Sequence, residues 1–357
     1  MSEEMITIEA ILAHLLERGA STAHLVPGEP VAIRAAEGLV RVDKSPDAQL
    51  AIDEVLNNRL SPNQRASLDR RGYVDASLVH AGNRFICRLF HERGQVAATI
   101  RILPSELPSL DSLVAIDEEL ARIAQLLQFR RGVIIVTGAS GSGKSNLAAA
   151  LLGIINENQT KRIATVEDPP QYDIVSRKSI VTQMMIGHDV DSFQVGLDAI
   201  RGLDADVVFA SSIPDAQAFE SICTLAQRGR LVLSVMPYPT VTACIKGILD
   251  TFAVGQRARI QQLLSQNLQA IVSTALIQRA AQRERAAAHE IMIATLKIRA
   301  ALQDGRWEIG PLMKEGRRIG MQTLDDSLEM LYKQGIIDFD EAEGRISDKT
   351  VLGRRPA

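Results

Sequence analysis

Apolar side chains recur at helical spacing from Ile6 to Leu16 and stop at Gly19, which predicts an amphipathic helix near the start of the chain. The pattern then shortens. His24 to Val26 and Val31 to Arg34 read as brief strands broken by Pro27-Gly28, and Glu37-Gly38 marks a turn before a third strand from Leu39 to Val42. Leu50 to Leu60 returns to the helical period, and Ser61-Pro62 has the cap-then-proline order that starts another helix. Tyr73 to His80, Arg84 to His91 and Val96 to Ile102 alternate apolar and polar residues, as half-buried antiparallel strands do. Residues 1–103 therefore predict a small α+β domain.

Pro104, Pro108 and the polar residues between them interrupt all periodicity, so 104–115 is read as a linker. Beyond it, helix (Ile116 to Leu127), strand (Gly132 to Thr137), helix, strand (Arg162 to Glu167), helix (Ser192 to Arg201), strand (Asp206 to Ala210), helix (Pro214 to Arg228) and strand (Leu231 to Val235) follow in turn. Such alternation predicts a largely parallel sheet wrapped by helices over 116–357. From Ile245 the chain reads as mostly helical, with helices at Gln256 to Leu276, Lys297 to Gln303 and Leu324 to Gln334, so the fold class is α/β with a helical part from about 256. Gln282 to Arg285 reads as a solvated turn.

Composition narrows the function classes. At 357 residues the chain is long enough for two cores. Forty basic against 43 acidic residues give a net charge of -3, without the basic, aromatic-interleaved stretch that strand binding needs, so no nucleic-acid partner is expected. Cys87, Cys223 and Cys244 lack both zinc spacing and a disulfide pattern, and read as buried apolar residues. The acidic start Met1-Ser2-Glu3-Glu4 is unlike a signal peptide, and no apolar run approaches the ~20 residues of a membrane span. The expectation is a cytoplasmic protein that reaches a membrane only through a partner.

The chemistry enters at Gly138-Ala139-Ser140-Gly141-Ser142-Gly143-Lys144-Ser145, which follows the apolar run Val133 to Val136 and opens a helix through Leu147, Leu151 and Ile155. Glycines at 138, 141 and 143 let successive backbone N–H groups converge on an anion, Lys144 reaches the β- and γ-phosphates, and the Ser145 hydroxyl joins a Mg²⁺ shell. The expected ligand is ATP with Mg²⁺, held by Gly138, Ser140, Gly141, Ser142, Gly143, Lys144, Ser145 and Asn146. Thr165-Val166-Glu167-Asp168-Pro169-Pro170 closes a strand with two carboxylates, where an NTPase keeps its water-activating and metal-orienting groups. A polar strand exit would look the same.

The order of motifs resembles the secretion and type IV pilus motor ATPases, and within them the pilus retraction branch of twitching motility. Thr165 to Pro169 is similar to that family's aspartate box. Ala288-His289-Glu290-Ile291-Met292 and Gly320-Met321-Gln322-Thr323-Leu324-Asp325 are nearly verbatim matches to carboxy-terminal signatures of the retraction branch. Gly19-Ala20-Ser21 with His24-Leu25, and Arg84-Phe85 with Arg93-Gly94 and Arg101, resemble its amino-terminal strands. The resemblance implies a homo-hexameric ring in which a PAS-like N-terminal domain packs on the RecA-like core of a neighbour, with ATP between the domains. It also implies Arg93 and Arg101 as γ-phosphate arginines, Glu167 as catalytic acid, Asp168 as a metal-orienting group beside Ser145, and a platform protein in the inner membrane as partner at the cytoplasmic face.

The sequence also departs from that family. Where the Walker B strand ends in a glutamate, this chain holds Ser212 in Asp206-Val207-Val208-Phe209-Ala210-Ser211-Ser212-Ile213-Pro214-Asp215, and Pro214 replaces an arginine. A serine cannot accept a proton from water with useful driving force near neutral pH. Pro237, in Met236-Pro237-Tyr238, takes the place of the family's nucleotide-sensing histidine, and Asn146 replaces a threonine. Asp198 and Gly202 stand where arginines are usual, with Arg201 one place off. Two functions stay open: a weakened or partner-dependent ATPase powering pilus retraction, with Glu167 and Lys144 as surviving catalytic groups, or a noncatalytic ATP-binding ring subunit that joins a competent paralogue. A pilus-assembly or secretion ATPase fits less well, because assembly relatives often carry a four-cysteine zinc module and longer N-terminal domains, and this chain has neither. His289 reads as a hydrogen-bonded structural residue rather than a ligand, Trp307 and Phe339 as anchors of the C-terminal helices, and Arg299 as the retained arginine of a retraction element.

Overall fold

The computed structural model describes residues 7–35, 38–42, 48–280, 284–349 and 352. Two compact units divide the chain, one comprising Met1–Glu106 with Asp168–Val175 and Met184–Ser192, the other comprising Leu107–Glu167, Ser176–Gln183 and Phe193–Ala357.

The first unit is built on an antiparallel six-stranded sheet of β1 (Thr22–Leu25), β2 (Ala32–Ala35), β3 (Gly38–Arg41), β4 (Tyr73–His80), β5 (Asn83–Glu92) and β6 (Gln95–Ile102), in the order β3-β2-β1-β6-β5-β4. The alternation read from residues 73–102 is real: along β5 the core takes Phe85, Cys87 and Leu89, and along β6 it takes Ala98 and Ile100. Helices Ile8–Glu17, Gln49–Asn58 and Pro62–Arg71 supply Leu12, Leu15, Ile52, Val55 and Leu68 to the same core. Ser61 caps the third of these, its hydroxyl accepting from the Gln64 N–H at 3.2 Å while the Gln64 side chain returns to the Ser61 N–H. Of the expected turn at Glu37-Gly38, Glu37 lies outside the described residues, as do Gln282 and Arg283 of the expected turn at Gln282 to Arg285.

The second sheet contains β7 (Gly132–Thr137), β8 (Arg162–Glu167), β9 (Ile180–Met185), β10 (Val207–Ala210), β11 (Leu231–Met236), β12 (Leu268–Gln278) and β13 (Arg285–Ile293), ordered β13-β12-β7-β11-β10-β8-β9. β12, β7, β11, β10 and β8 are mutually parallel and β13 is antiparallel to β12. Every residue of β7, β10 and β11 is buried, so these strands lack a period of two and declare themselves by apolar content and length. Helices Lys144–Asn158, Phe193–Arg201, Ala216–Gln227 and Val241–Asp250 join them.

The C-terminal reading needs correction. Residues from Gln256 to Leu276 do not form one helix: a helix ends at Asn267, and Leu268–Gln278 is a strand between β7 and β13, so the part from about 256 is not wholly helical. Ile271, Val272, Thr274 and Ile277 are β-branched, and burial on both faces removes the alternation that would have revealed the strand. β13 escaped because Ala286-Ala287-Ala288 favours helix, and nine paired positions along β12 override that preference. β9 was missed too, since its burial is intermediate along most of its length.

In the last part of the chain, Leu324–Lys333 is closed by a capping box of Thr323 and Asp326. Burial alone would raise the Asp326 carboxyl, but bonds from Arg317 and from the Thr323 N–H and hydroxyl outweigh it and hold it below the usual value. A depressed folded value adds stability that is present above the unfolded value and lost as pH falls through the folded one. We therefore expect Asp326→Asn to cost about 1 kcal/mol near neutral pH, with the gap to the wild type closing in thermal melts run toward pH 3.

Candidate functional site

The parallel strands end on one edge, and each candidate motif of this unit leaves from there. The loop from Gly138 to Gly143 follows β7, Glu167 of the aspartate box ends β8, Ser211-Ser212 follows β10, and Pro237-Tyr238 follows β11. Ligands of open α/β sheets bind outside these carboxyl ends.

The loop has the backbone its glycines allow. Gly143 takes φ 88° as the residue preceding helix Lys144–Asn158, a left-handed conformation that L side chains resist. A Cβ on Gly138 would lie 2.3 Å from Ser142 Oγ and 2.6 Å from the Thr274 carbonyl, so the close approach of loop and β12 excludes any other residue there. Ser142 N–H donates to the Ala139 carbonyl at 3.2 Å, and Thr274 Oγ1 donates to the Ser142 carbonyl at 3.3 Å. The Lys144 ammonium donates to the Ala139 carbonyl at 3.0 Å, and burial pushes its pKa down. Ser142 is 5% exposed and its hydroxyl has no hydrogen-bond partner among the described residues. Leaving such a group unpaired costs about 1–3 kcal/mol, which an oxygen-rich ligand in the loop would offset. The cradle, the partly buried cation and the unpaired hydroxyl fit a polyphosphate. Ser145 and Asn146 begin the helix behind them.

Glu167 ends β8 only 3% exposed. Its Oε1 accepts from Thr165 Oγ1 at 2.8 Å and from Gln183 Nε2 at 2.7 Å. At the end of β10 the Ser211 N–H donates to the Val166 carbonyl at 3.0 Å, and Asp215, the carboxylate nearest in sequence to Ser212, caps helix Ala216–Gln227 by accepting from the Ala218 N–H at 2.8 Å. Asp215 is thus committed to a helix end. Beyond β11, the Tyr238 N–H donates to Thr137 Oγ1 at 3.2 Å while that hydroxyl lies 2.7 Å from the Tyr238 carbonyl, and the Tyr238 ring covers Gly247. The segment bearing Pro237 is thereby tied to the residue that immediately precedes the phosphate loop. Thr137, Gln183 and Thr274 were not singled out by sequence; a threonine or glutamine gives no signal until its partner is known.

Three predicted residues belong to the first unit. Asp168 lies near Asp75, Arg71 and Arg88, its carboxyl raised by burial and then by Asp75, against the pull of the two arginines. Arg88 forms a bidentate pair with Asp75 at 2.8 and 2.6 Å. Arg101 donates to the Pro170 carbonyl at 2.9 Å, and burial lowers its pKa. Arg93 sits at the tip between β5 and β6 with φ 49° and a side chain 91% exposed.

The two carboxy-terminal signatures meet around one buried acid. Glu119, on helix Asp117–Gln125, accepts from His289 Nδ1 at 2.9 Å through Oε2, and through Oε1 from Gln322 Nε2 at 2.6 Å and from the Ser327 hydroxyl. His289 is 1% exposed and the other three are fully buried, which makes His289 the hydrogen-bonded structural residue expected. On the opposite face of β13, Glu290 accepts from the Val241 N–H at 2.8 Å, and burial raises its pKa. Arg299 donates to the Ser265 carbonyl at 2.6 Å and to Gln269 Oε1 at 2.9 Å. Phe339 packs edge-on to Tyr332, their ring centroids 5.7 Å apart.

An α/β chain whose parallel sheet presents a glycine-rich loop at its carboxyl edge, with a lysine and a serine opening the next helix, has the architecture of a phosphate-binding-loop protein. Residues 3–334 match the type II/IV secretion system protein family, and the chain belongs to it. It is 29% identical to the type IV pilus retraction ATPase PilT of Pseudomonas aeruginosa over 94% of this chain and 96% of that protein. It is 31% identical to a twitching motility protein of Neisseria gonorrhoeae over 73% of this chain and 69% of that one. Among solved structures, the pilus retraction motor PilT with bound ADP is similar at a TM-score of 0.80 and 32% identity, covering 96% of this chain and 98% of that one. The Legionella pneumophila ATPase DotB has a TM-score of 0.81 at 19% identity, covering 95% and 96% of the two chains, a likeness of fold. No helix among the described residues is long and apolar enough to cross a membrane.

Proposed function

We propose that this chain is a MgATP-binding subunit of a hexameric motor that couples nucleotide-driven domain motion to pilus retraction. The observation that carries the reading is the loop with its unpaired Ser142 hydroxyl and Lys144 at the end of β7, within a chain similar along nearly its whole length to pilus retraction ATPases. The strand order β12-β7-β11-β10-β8 supports a RecA-like core over 116–357, and the antiparallel sheet supports a PAS-like domain over 1–103, joined by 104–115. In this reading Gly138 to Asn146 hold the phosphates, and Ser145 and Asp168 orient Mg²⁺, which supplies charge neutralisation of the phosphates when bound. Glu167 takes the proton of the attacking water, and Arg93 and Arg101 stabilise charge on the γ-phosphate. The ring works at the cytoplasmic face of the inner membrane against a platform protein.

Ser212, with Asp215 spent on a helix cap, favours a second reading: a ring subunit that binds ATP and relies on a competent paralogue for hydrolysis. ATP turnover of the purified protein separates the two. Turnover well above that of Lys144→Ala supports the motor, and turnover indistinguishable from it overturns the motor in favour of the auxiliary subunit. On the motor reading Ser212→Glu should raise turnover, because it restores a carboxylate at the end of β10.

A further inference from the structure

Beside the phosphate loop lies a cavity of about 200 Å³ whose walls come from five segments. The loop contributes Ser140 and Ser142, the turn after β11 contributes Pro239, β12 contributes Leu276, and Arg285 and Arg345 complete the lining. Arg285 is the first residue of β13, held in register opposite Gln278, and Arg345 follows the helix Phe339–Glu343. The lining contains no carboxylate. Arg345 is 49% exposed and pairs through Nε with Glu341 at 3.3 Å, one helical turn back, and among the described residues no carboxylate stands within ion-pair distance of Arg285.

Two guanidiniums line one small cavity together with the unpaired, 5% exposed Ser142 and the backbone of a phosphate loop, an arrangement that favours an anion. A guanidinium spreads its charge over a rigid donor fork that matches phosphate oxygens. We infer that Arg285 and Arg345 form a cationic wall, contributed by the same subunit as the loop, that binds the polyphosphate chain of the loop-bound nucleotide. The inference rests on the nucleotide-binding reading of the loop and adds to it two positive charges from the C-terminal segment. Loop occupancy thereby becomes sensitive to how the segment bearing Arg345 is seated.

The test is displacement of a fluorescent ADP analogue by sodium tripolyphosphate and by ATP, on the full-length chain and its Arg285→Gln, Arg345→Gln, Arg345→Lys and Lys144→Ala variants. Each glutamine variant should weaken tripolyphosphate and ATP in parallel, by about 5- to 20-fold, with a shallower salt dependence and an unchanged melting temperature, and Arg345→Lys should retain most of the affinity. Tripolyphosphate affinity unchanged in both glutamine variants, while Lys144→Ala loses it, overturns the cationic wall and leaves the loop reading standing. Loss of ATP affinity without loss of tripolyphosphate affinity also overturns it, because the arginines would then contact the nucleoside. Binding unaffected by Lys144→Ala would overturn the loop reading itself.

Discussion

Glu167→Gln is expected to lower ATP turnover by about 10²- to 10⁴-fold while nucleotide affinity stays within a few-fold of wild type. The substitution keeps the size of the side chain and an oxygen able to accept from Thr165 Oγ1, the 2.8 Å bond that fixes it now. What it removes is the capacity to take a proton. The sequence concentrates that capacity on Glu167, because the end of β10 offers Ser212 and its neighbouring aspartate is consumed by the Ala218 N–H. Burial to 3% and a second bond from Gln183 at 2.7 Å hold the carboxylate in one orientation, as a positioned base requires. Phosphate release measured beside titration of a fluorescent ADP analogue separates chemistry from binding. Equal turnover in Glu167→Gln and wild type would remove Glu167 from catalysis.

Much of this site is legible in the sequence because its chemistry imposes spacing. A phosphate loop must be small, glycine-rich and followed by a helix, so Gly138 to Ser145 announce both the ligand and the local structure, down to the left-handed Gly143. The first sheet was legible for a different reason, since half-buried strands print their period on the sequence. Legibility fails where burial is complete. β12 has core on both faces and β13 is rich in alanine, and pairing over nine positions decides both. Contacts made by ordinary polar residues are equally silent. Thr137 hides its bond to Tyr238, some hundred positions away, and Gln183 hides its bond to Glu167, because neither residue type has a spacing rule. The signature strings around His289 and Gln322 matched a family without saying what they hold, which proves to be Glu119.

Removing that acid should produce a large loss of stability in the second unit. Glu119→Leu deletes both acceptor oxygens at once and leaves the His289 ring N–H, the Gln322 amide and the Ser327 hydroxyl without their shared partner, all of them at 1% exposure or less. Breaking one side of a buried polar cluster of this kind costs about 3–5 kcal/mol, and at about 2–4 °C per kcal/mol for a unit of this size the melting temperature should fall by about 6–20 °C. The Gln322 amide also donates to the His289 carbonyl at 3.0 Å and the Ser327 hydroxyl accepts from the His289 N–H at 3.0 Å, so the loss loosens β13 from helix Leu324–Lys333. Adding His289→Leu to Glu119→Leu should cost less than the sum of the two single changes, because each single change leaves one half of the His289–Glu119 bond buried and unpaired, and the double change removes both halves. Thermal melts of the two single variants and the double variant test both statements. A single-variant loss below about 1 kcal/mol would mean that the cluster contributes no more than an exposed ion pair. The two signatures would then need an explanation other than holding β13, the helix at Leu324 and the helix at Asp117 together.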